Sequence, residues 1–475
     1  MSYVAGTDRR QVLLFPESIE DYIGADNPVR FLDAFVGSLD LRALGFAHAI
    51  CADTGRPPYA PATLLKLYVY GYLHRLRSSR LLEAECHRNV EVIWLLGKLA
   101  PDFKTIADFR KDNLKALTAV CRQFTLLCRK LELFGGQLLA IDGSKFKAVN
   151  ARDQNFNEPK LEALIAAADA RLAEYLKQLD EADAAEPAMV ALSQSALQKK
   201  IAALTEKKEW HEELLAELRA DKEKQISVTD PDTRRMPTAQ GNQVGYNAQL
   251  AVDAQHKLIA ASDVTNDVTD FNQLAKVALE AKENLALAQT EVVADAGYYN
   301  AAEVSRCVEQ NIQPLIPKAD TSANTKLGLF GKSKFQFDAH KDVYVCPAGS
   351  ELTYRFSTYE LGRELKYYRA HGCAACPLKK QCTRNKANRT ITREANEHLM
   401  EAMAERLKKE PHKFRLRKAL AEHPFGTIKR CFGYDHFLLK GLEKVRVEWS
   451  LTALAYNWKR VLKLVSFERL MAAVS

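Results

Sequence analysis

The sequence predicts an α+β protein: a helical N-terminal region, then a mixed-sheet α/β core interrupted by two insertions. Three observations carry this. Residues 1–135 show dense helical apolar spacing broken by short turns. From Gln137 onward, short apolar runs alternate with amphipathic helical stretches, the pattern of an α/β sheet. Two segments fit neither pattern: 158–225, with leucines at helical steps, and 318–400, polar and carrying a cysteine cluster. The predicted organisation is therefore 1–135, a core assembled from 136–157, 226–317 and 401–475, and insertions at 158–225 and 318–400.

In the N-terminal region Pro57, Pro58 and Pro61 punctuate a loop. Leu64, Leu65, Leu67, Tyr68, Tyr70, Tyr72 and Leu73 then make an apolar helix. Ser78-Ser79 supplies a turn or cap, a second helix is expected over 81–97, and Pro101-Asp102 opens a third from Phe103 to Arg110. Short helices joined by tight turns suit DNA binding through a helix-turn-helix, and equally an ordinary packing unit. Gly135-Gly136 closes the region, and Gln137–Ile141 reads as a buried strand ending at Asp142.

The segment 158–225 predicts two long helices folded back on each other. Leu161, Leu164, Ala168, Leu172, Tyr175 and Leu179 line one, Leu197, Ile201, Leu204, Leu215 and Leu218 the other, and Ala184–Pro187 interrupts between them. Strands follow at Tyr246–Val252 and Lys257–Val264, joined by a turn at Asp253–His256. A helix over Phe271–Leu287, a strand over Glu291–Ala294 ending at Asp295, a helix near Ala301–Gln310 and a strand at Ile312–Ile316 complete the core. Residues 411–465 return to helix.

Composition is that of an ordinary folded chain: 475 residues, 47% apolar and 27% charged, which excludes collagen-like and wholly disordered classes. The net charge is +8, and all of it lies in one block: Pro411–Leu470 holds 13 Lys and Arg against 5 Asp and Glu. Arg415, Arg417, Lys418, Lys429, Arg430, Lys440, Lys444, Arg446, Lys459, Arg460 and Lys463 alternate there with Phe432, Tyr434, Trp449 and Trp458. Trp449 and Trp458 read as core residues, the cations as a phosphate-facing surface. No apolar run reaches the roughly 18 residues of a membrane helix. Val12–Phe15 after Arg9-Arg10 is too short for a signal-peptide core. A cytoplasmic, nucleoid-associated protein with reduced thiols is expected.

Two buried strands each deliver an aspartate, Asp142 and Asp295, to the sheet edge where active sites of open α/β folds form. Converging carboxylates repel unless a cation lies between them, and oxygen-rich sites of this kind suit Mg²⁺. Their surroundings, Ile141-Asp142-Gly143-Ser144-Lys145 and Ala294-Asp295-Ala296-Gly297-Tyr298, resemble the first two acidic motifs of DDE transposases of bacterial insertion sequences. The stretch from Glu422 to Lys429, Glu-His-Pro-Phe-Gly-Thr-Ile-Lys, resembles their glutamate motif, and Pro101–Arg110 their helical N-terminal domain. The resemblance implies a ribonuclease H-like fold. It further implies Asp142, Asp295 and Glu422 as catalytic ligands of two Mg²⁺ or Mn²⁺ ions, and double-stranded DNA as substrate at element ends and target. A homodimer is the implied assembly. Arg415 and Lys418 occupy the positions where these transposases often carry Tyr and Arg; with Lys429 and Arg430 they are the candidate DNA contacts. Asp270, Glu443 and Glu448 are competing acids, and Pro424 is expected to bend or restart the helix bearing Glu422. A non-catalytic DNA-binding protein on the same fold, and a ribonuclease H-like nuclease without strand transfer, are the alternative functions.

Of ten cysteines, Cys51, Cys86, Cys121, Cys128, Cys307 and Cys431 are scattered and read mostly as packing residues. Cys346, Cys373, Cys376 and Cys382 cluster, with 26, 2 and 5 residues between them. They are candidates for a structural Zn²⁺ site, with His371 as a substitute ligand; free thiols and an iron–sulfur cluster are the other readings. Lys379, Lys380, Arg384, Lys386 and Arg389 around them favour DNA contact over catalysis.

Overall fold

The computed structural model describes residues 18–50, 57–183, 190–220, 225–318, 323–360 and 363–475. The expectations for Arg9, Arg10, Val12–Phe15, Cys51 and Ala184–Pro187 lie outside the described residues.

Among the described residues, the N-terminal region holds a short 3₁₀ helix (Ile19–Tyr22) and six α-helices. Helix α1 (Pro28–Gly37) begins at Asn27, whose side chain accepts the Val29 N–H, followed by Pro28 in the first turn, where its missing donor costs nothing. Helix α2 (Pro61–Leu73) is almost wholly buried. The single helix expected over 81–97 is two, α3 (Ser79–Arg88) and α4 (Val90–Leu95). Asn89 separates them by adopting an extended backbone and capping α4 through the Val92 N–H. Helices α5 (Phe103–Asp112) and α6 (Leu114–Lys130) follow.

The central sheet is six-stranded and mixed. Strand β1 (Leu138–Lys147) leads to the two-residue pair β2 (Asn155–Phe156) and β3 (Ile226–Ser227), which closes the base of helices α7 (Glu158–Asp183) and α8 (Val190–Ala220). Those helices are antiparallel, as predicted. Arg219 near the end of α8 reaches Glu158 and Glu162 at the start of α7, and Phe156, Leu161, Leu214 and Leu218 bury the base. Strands β4 (Arg234–Thr238), β5 (Gly241–Asp253) and β6 (Ile259–Thr265) come next, then α9 (Leu274–Leu285), β7 (Thr290–Val293), α10 (Ala301–Glu309) and β8 (Ile312–Leu315). Across the sheet the order is β6-β5-β1-β7-β8, with β4 on the first half of β5. The first three strands are antiparallel; β7 and β8 run parallel to β1. Numbered by their place among these five, the order is 3-2-1-4-5, the ribonuclease H-like arrangement.

The second insertion is a sheet of its own, which the sequence reading did not foresee. After the single turn α11 (Ala323–Lys326), strands β9 (Gln336–Asp338), β10 (Val343–Val345), β11 (Glu351–Glu360) and β12 (Arg363–Ala370) pair in succession. The short helix α12 (Lys379–Cys382) then leads to β13 (Thr390–Glu394) on β12. The chain returns through α13 (Glu397–Lys409) and α14 (Pro411–Gly426), then a π-helical turn at Thr427–Cys431, α15 (Leu442–Leu464) and α16 (Phe467–Val474). Pro424 neither ends nor restarts its helix; α14 runs through it and widens only after Gly426.

Two apolar layers sandwich the central sheet. On one face Leu139, Ile141 and Val292 meet α9 and α10. On the other, Ala140, Val293 and Leu315 meet Leu420 and Ala421 of α14. Beside α14, helix α15 covers Tyr246, Ala248 and Leu250 of β5, and its buried length continues into the N-terminal helices. Trp449 and Trp458 are core residues, as expected. The Trp458 ring lies 4.8 Å from Phe31, 5.3 Å from Phe35 and 4.6 Å from Phe124. The N-terminal helices thus share one core with the helix that roofs the sheet. A buried ion pair reinforces this: Arg77 Nη1 lies 3.0 Å from Glu448 Oε1, and the Arg77 guanidinium stacks 4.1 Å over Tyr434.

Candidate active site

Strand β1 does not stop at Asp142 as predicted. It runs on to Lys147 because β5 pairs with it throughout, Asp142 opposite Leu250. What stops near Asp142 is the pairing with β7: the last parallel pair is Ala140 with Val293. Asp142 and Asp295 each lie two residues beyond that pair. Strand alternation turns both toward the face of Ala140 and Val293, under α14. The two carboxylates are brought together where β1 and β7 part.

The electrostatics agree. Burial pushes the Asp142 carboxyl up to about 6; Asp295 and Asp270 push the same way, while Arg417 opposes them. Arg417 Nη1 of α14 lies 3.6 Å from Asp142 Oδ2. Asp142 also accepts the Gly143 N–H at 3.0 Å, and Asp295 accepts the Gly297 N–H at 2.8 Å, capping the turn Ala296–Tyr298. Repelling carboxylates of this kind form a donor set that suits a hard divalent cation. As the side chains stand, no three carboxylate, imidazole or thiol groups among the described residues converge on one point.

Asp270 braces this edge. It accepts Asn247 Nδ2 and Gln249 Nε2, each at 2.7 Å, and meets Lys145 Nζ at 3.5 Å. Gln249 in turn accepts the Tyr298 hydroxyl. Gly143 makes the network fit: a Cβ there would lie 2.4 Å from both Asp270 Oδ1 and Gln249 Nε2. Arg417, Lys145, Asn247, Gln249 and Tyr298 were not singled out for this site from sequence. Lys145 and Tyr298, each three residues after an aspartate, carried a local signal; the amides carried none.

Glu422 is placed differently from the aspartates. It lies on α14, but its side chain is 62% exposed and its near neighbour is Lys418, 4.0 Å away. On this helix Arg417, not Glu422, contacts Asp142. Of the competing acids, Glu448 is committed elsewhere: buried, paired to Arg77, it accepts the N–H groups of Leu438 and Leu439 at 3.0 Å. Glu443 is exposed in the first turn of α15.

Among the candidate DNA contacts, Arg415, Lys418 and Arg430 are exposed. Lys429 is not a surface cation as expected. The π turn carries it inward, where Nζ donates to Ser144 Oγ at 2.6 Å and the Lys145 carbonyl at 2.9 Å, above the Phe146 ring. Burial lowers its pKa.

In the second insertion, Cys346, Cys373, Cys376 and Cys382 are free, half-buried thiols around one small cavity. Burial raises the Cys382 pKa, and the other three cysteines add to the shift against Arg389. Cys86, Cys128 and Cys307 are buried packing residues, and Cys431 is exposed.

Two family models match the sequence: a transposase domain (DUF772) over residues 17–112, and a transposase DDE domain over residues 345–462. The second match contains Glu422 and the four clustered cysteines. No curated protein matches the chain. Among solved structures, a piggyBac transposase synaptic complex with hairpin DNA aligns over 95% of this chain and 80% of its own, at 8% identity and a TM-score of 0.32, a likeness too slight to carry an argument.

Proposed function

We propose that this chain is a DDE transposase of the insertion-sequence type that cleaves DNA at element ends and joins them to target DNA by metal-dependent phosphoryl transfer, a reading supported by the transposase models that match residues 17–112 and 345–462. The observation that carries the proposal is the convergence of Asp142 and Asp295 where β1 and β7 part, roofed by the helix of the third motif. Asp142 and Asp295, with Glu422 as third acid, would hold two Mg²⁺ or Mn²⁺ ions. Such ions, when bound, neutralise phosphate charge and favour the attacking oxygen.

The chain's own residues do the positioning. Asp270, fixed by Asn247, Gln249 and Lys145, holds the floor of the site. Lys429 pins β1 to the π turn beyond Asp142 through Ser144. Arg415, Lys418 and Arg430 offer exposed cations to the DNA backbone, and Arg417 opposes the rise that burial imposes on the Asp142 pKa. A homodimer would present two such sites to a pair of ends, in the cytoplasm.

The test is incubation of the purified chain with labelled end DNA and a target plasmid, in Mg²⁺, in Mn²⁺ and in EDTA. Metal-dependent cleavage followed by joined product is expected. Cleavage without joining would favour a simple nuclease, and binding without either would favour a non-catalytic DNA-binding protein.

A further inference from the structure

We propose that Cys346, Cys373, Cys376 and Cys382 form a structural Zn²⁺ site that fastens the second insertion. The four thiols come from three separate places: the turn after β10, the 3₁₀ turn Cys373–Ala375 with the residue after it, and the end of α12. All four line one cavity of about 40 Å³; no three of them converge on one point as the side chains stand, so binding would draw the sulfurs together. The first thiol leaves β10 on a tight turn, in which the Gly349 N–H donates to the Cys346 carbonyl and the Cys346 N–H to that of Ser350. The second pair sits on another, in which the Cys376 N–H donates to the Cys373 carbonyl. Cys373 Sγ accepts the Arg389 N–H at 3.5 Å, which fixes the orientation of that sulfur. His371 borders the cavity, but its Nε2 is engaged by the Thr353 hydroxyl at 3.1 Å, which leaves four sulfurs as the ligand set.

The insertion has reason to need a staple. Among the described residues its buried apolar cluster is six residues: Phe335, Tyr344, Leu352, Tyr368, Ala370 and Ile391. Domains with cores this small are commonly held by metals or disulfides. Binding would form four Zn–S bonds, release the thiol protons to solvent and involve no change of oxidation state. The net negative site would lie beside Arg389 and Lys379, which also line the cavity.

The experiment uses the full chain, purified without added metal. Metal analysis is expected to give one zinc per chain, and chelation is expected to expose four further thiols to a disulfide reagent. Replacing zinc by Co²⁺ should give the absorption of tetrahedral thiolate coordination. Cys376→Ser should lose the metal, and Cys431→Ser should keep it. Absence of zinc, iron with acid-labile sulfide in its place, an unchanged thiol count after chelation, or full zinc in Cys376→Ser would each overturn the proposal. The thiol count is read on the unaltered chain, so it decides the matter even where Cys376→Ser fails to fold.

Discussion

Replacing Arg77 by Met tests how the N-terminal helices are fastened to the helix that roofs the sheet. The Arg77 side chain is 9% exposed and that of Glu448 1%, with 3.0 Å between the charged atoms. Arg77 also donates to the His436 carbonyl at 2.9 Å. Removing one partner of a buried pair leaves an uncompensated charge and costs about 3–5 kcal/mol. Two effects hold the loss to the lower end of that range. Glu448 keeps the N–H groups of Leu438 and Leu439, and Met retains part of the packing. The loss should depend on pH. Burial already raises the Glu448 pKa above its ordinary 4.5, and without Arg77 it rises further. The folded variant then binds a proton that the unfolded chain releases, so its stability is recovered as pH falls and lost as pH rises through the folded pKa. Urea unfolding followed by tryptophan fluorescence should show a loss of about 3 kcal/mol at pH 8 and a smaller one at pH 5. Adding Glu448→Gln should return part of the pH 8 loss. An Arg77→Met variant within about 0.5 kcal/mol of the parent at pH 8, or an equal loss at both pH values, would refute the reasoning.

Gly143→Ala should cost about 1–3 kcal/mol through its clash with Asp270 and Gln249, and should lower cleavage at a temperature where the variant remains folded. Unchanged cleavage would mean that the Asp270 network does not shape the site. Neutralising Arg415 and Lys418 together should weaken DNA binding and reduce its salt slope by about 2, whereas Lys429→Met should leave the slope unchanged and reduce stability. A salt slope that responds to Lys429 instead would place that lysine on DNA. Glu280 has its pKa raised to about 7 by burial first and by Asp263 next. Its charge therefore opposes folding as pH climbs from about 4.5 to about 7, and Glu280→Gln should gain about 1–2 kcal/mol at pH 8 and nothing at pH 4. An equal gain at both would assign the effect to something other than ionisation.

The elements of the central sheet were legible because each carries its own signal: alternation in Tyr246–Val252, apolar runs before Asp142 and Asp295, amphipathic helices between. The far half of β1 was not, since Ser144, Lys145 and Lys147 are polar and belong to the strand only through pairing with β5. The insertion sheet escaped for the same reason. Strand β11 is largely exposed, and its order comes from β10 and β12 rather than from a buried face. The two aspartates could be found from sequence because the short apolar runs that precede them are local features, even though β1 continues past Asp142. The roles of Arg417 and Lys429 could not, because they depend on how α14 is rotated over the sheet and on the π turn that follows it.

The measurement that bears most directly on the function is end cleavage by Asp142→Asn and Asp295→Asn, with DNA binding measured on the same samples. Each change keeps the side chain's shape and removes one charge from the pair at the β1–β7 fork. Cleavage should fall by on the order of 10²–10³-fold or more while DNA is still bound. Either variant cleaving at the rate of the unaltered chain would contradict the assignment of the active site to these two aspartates.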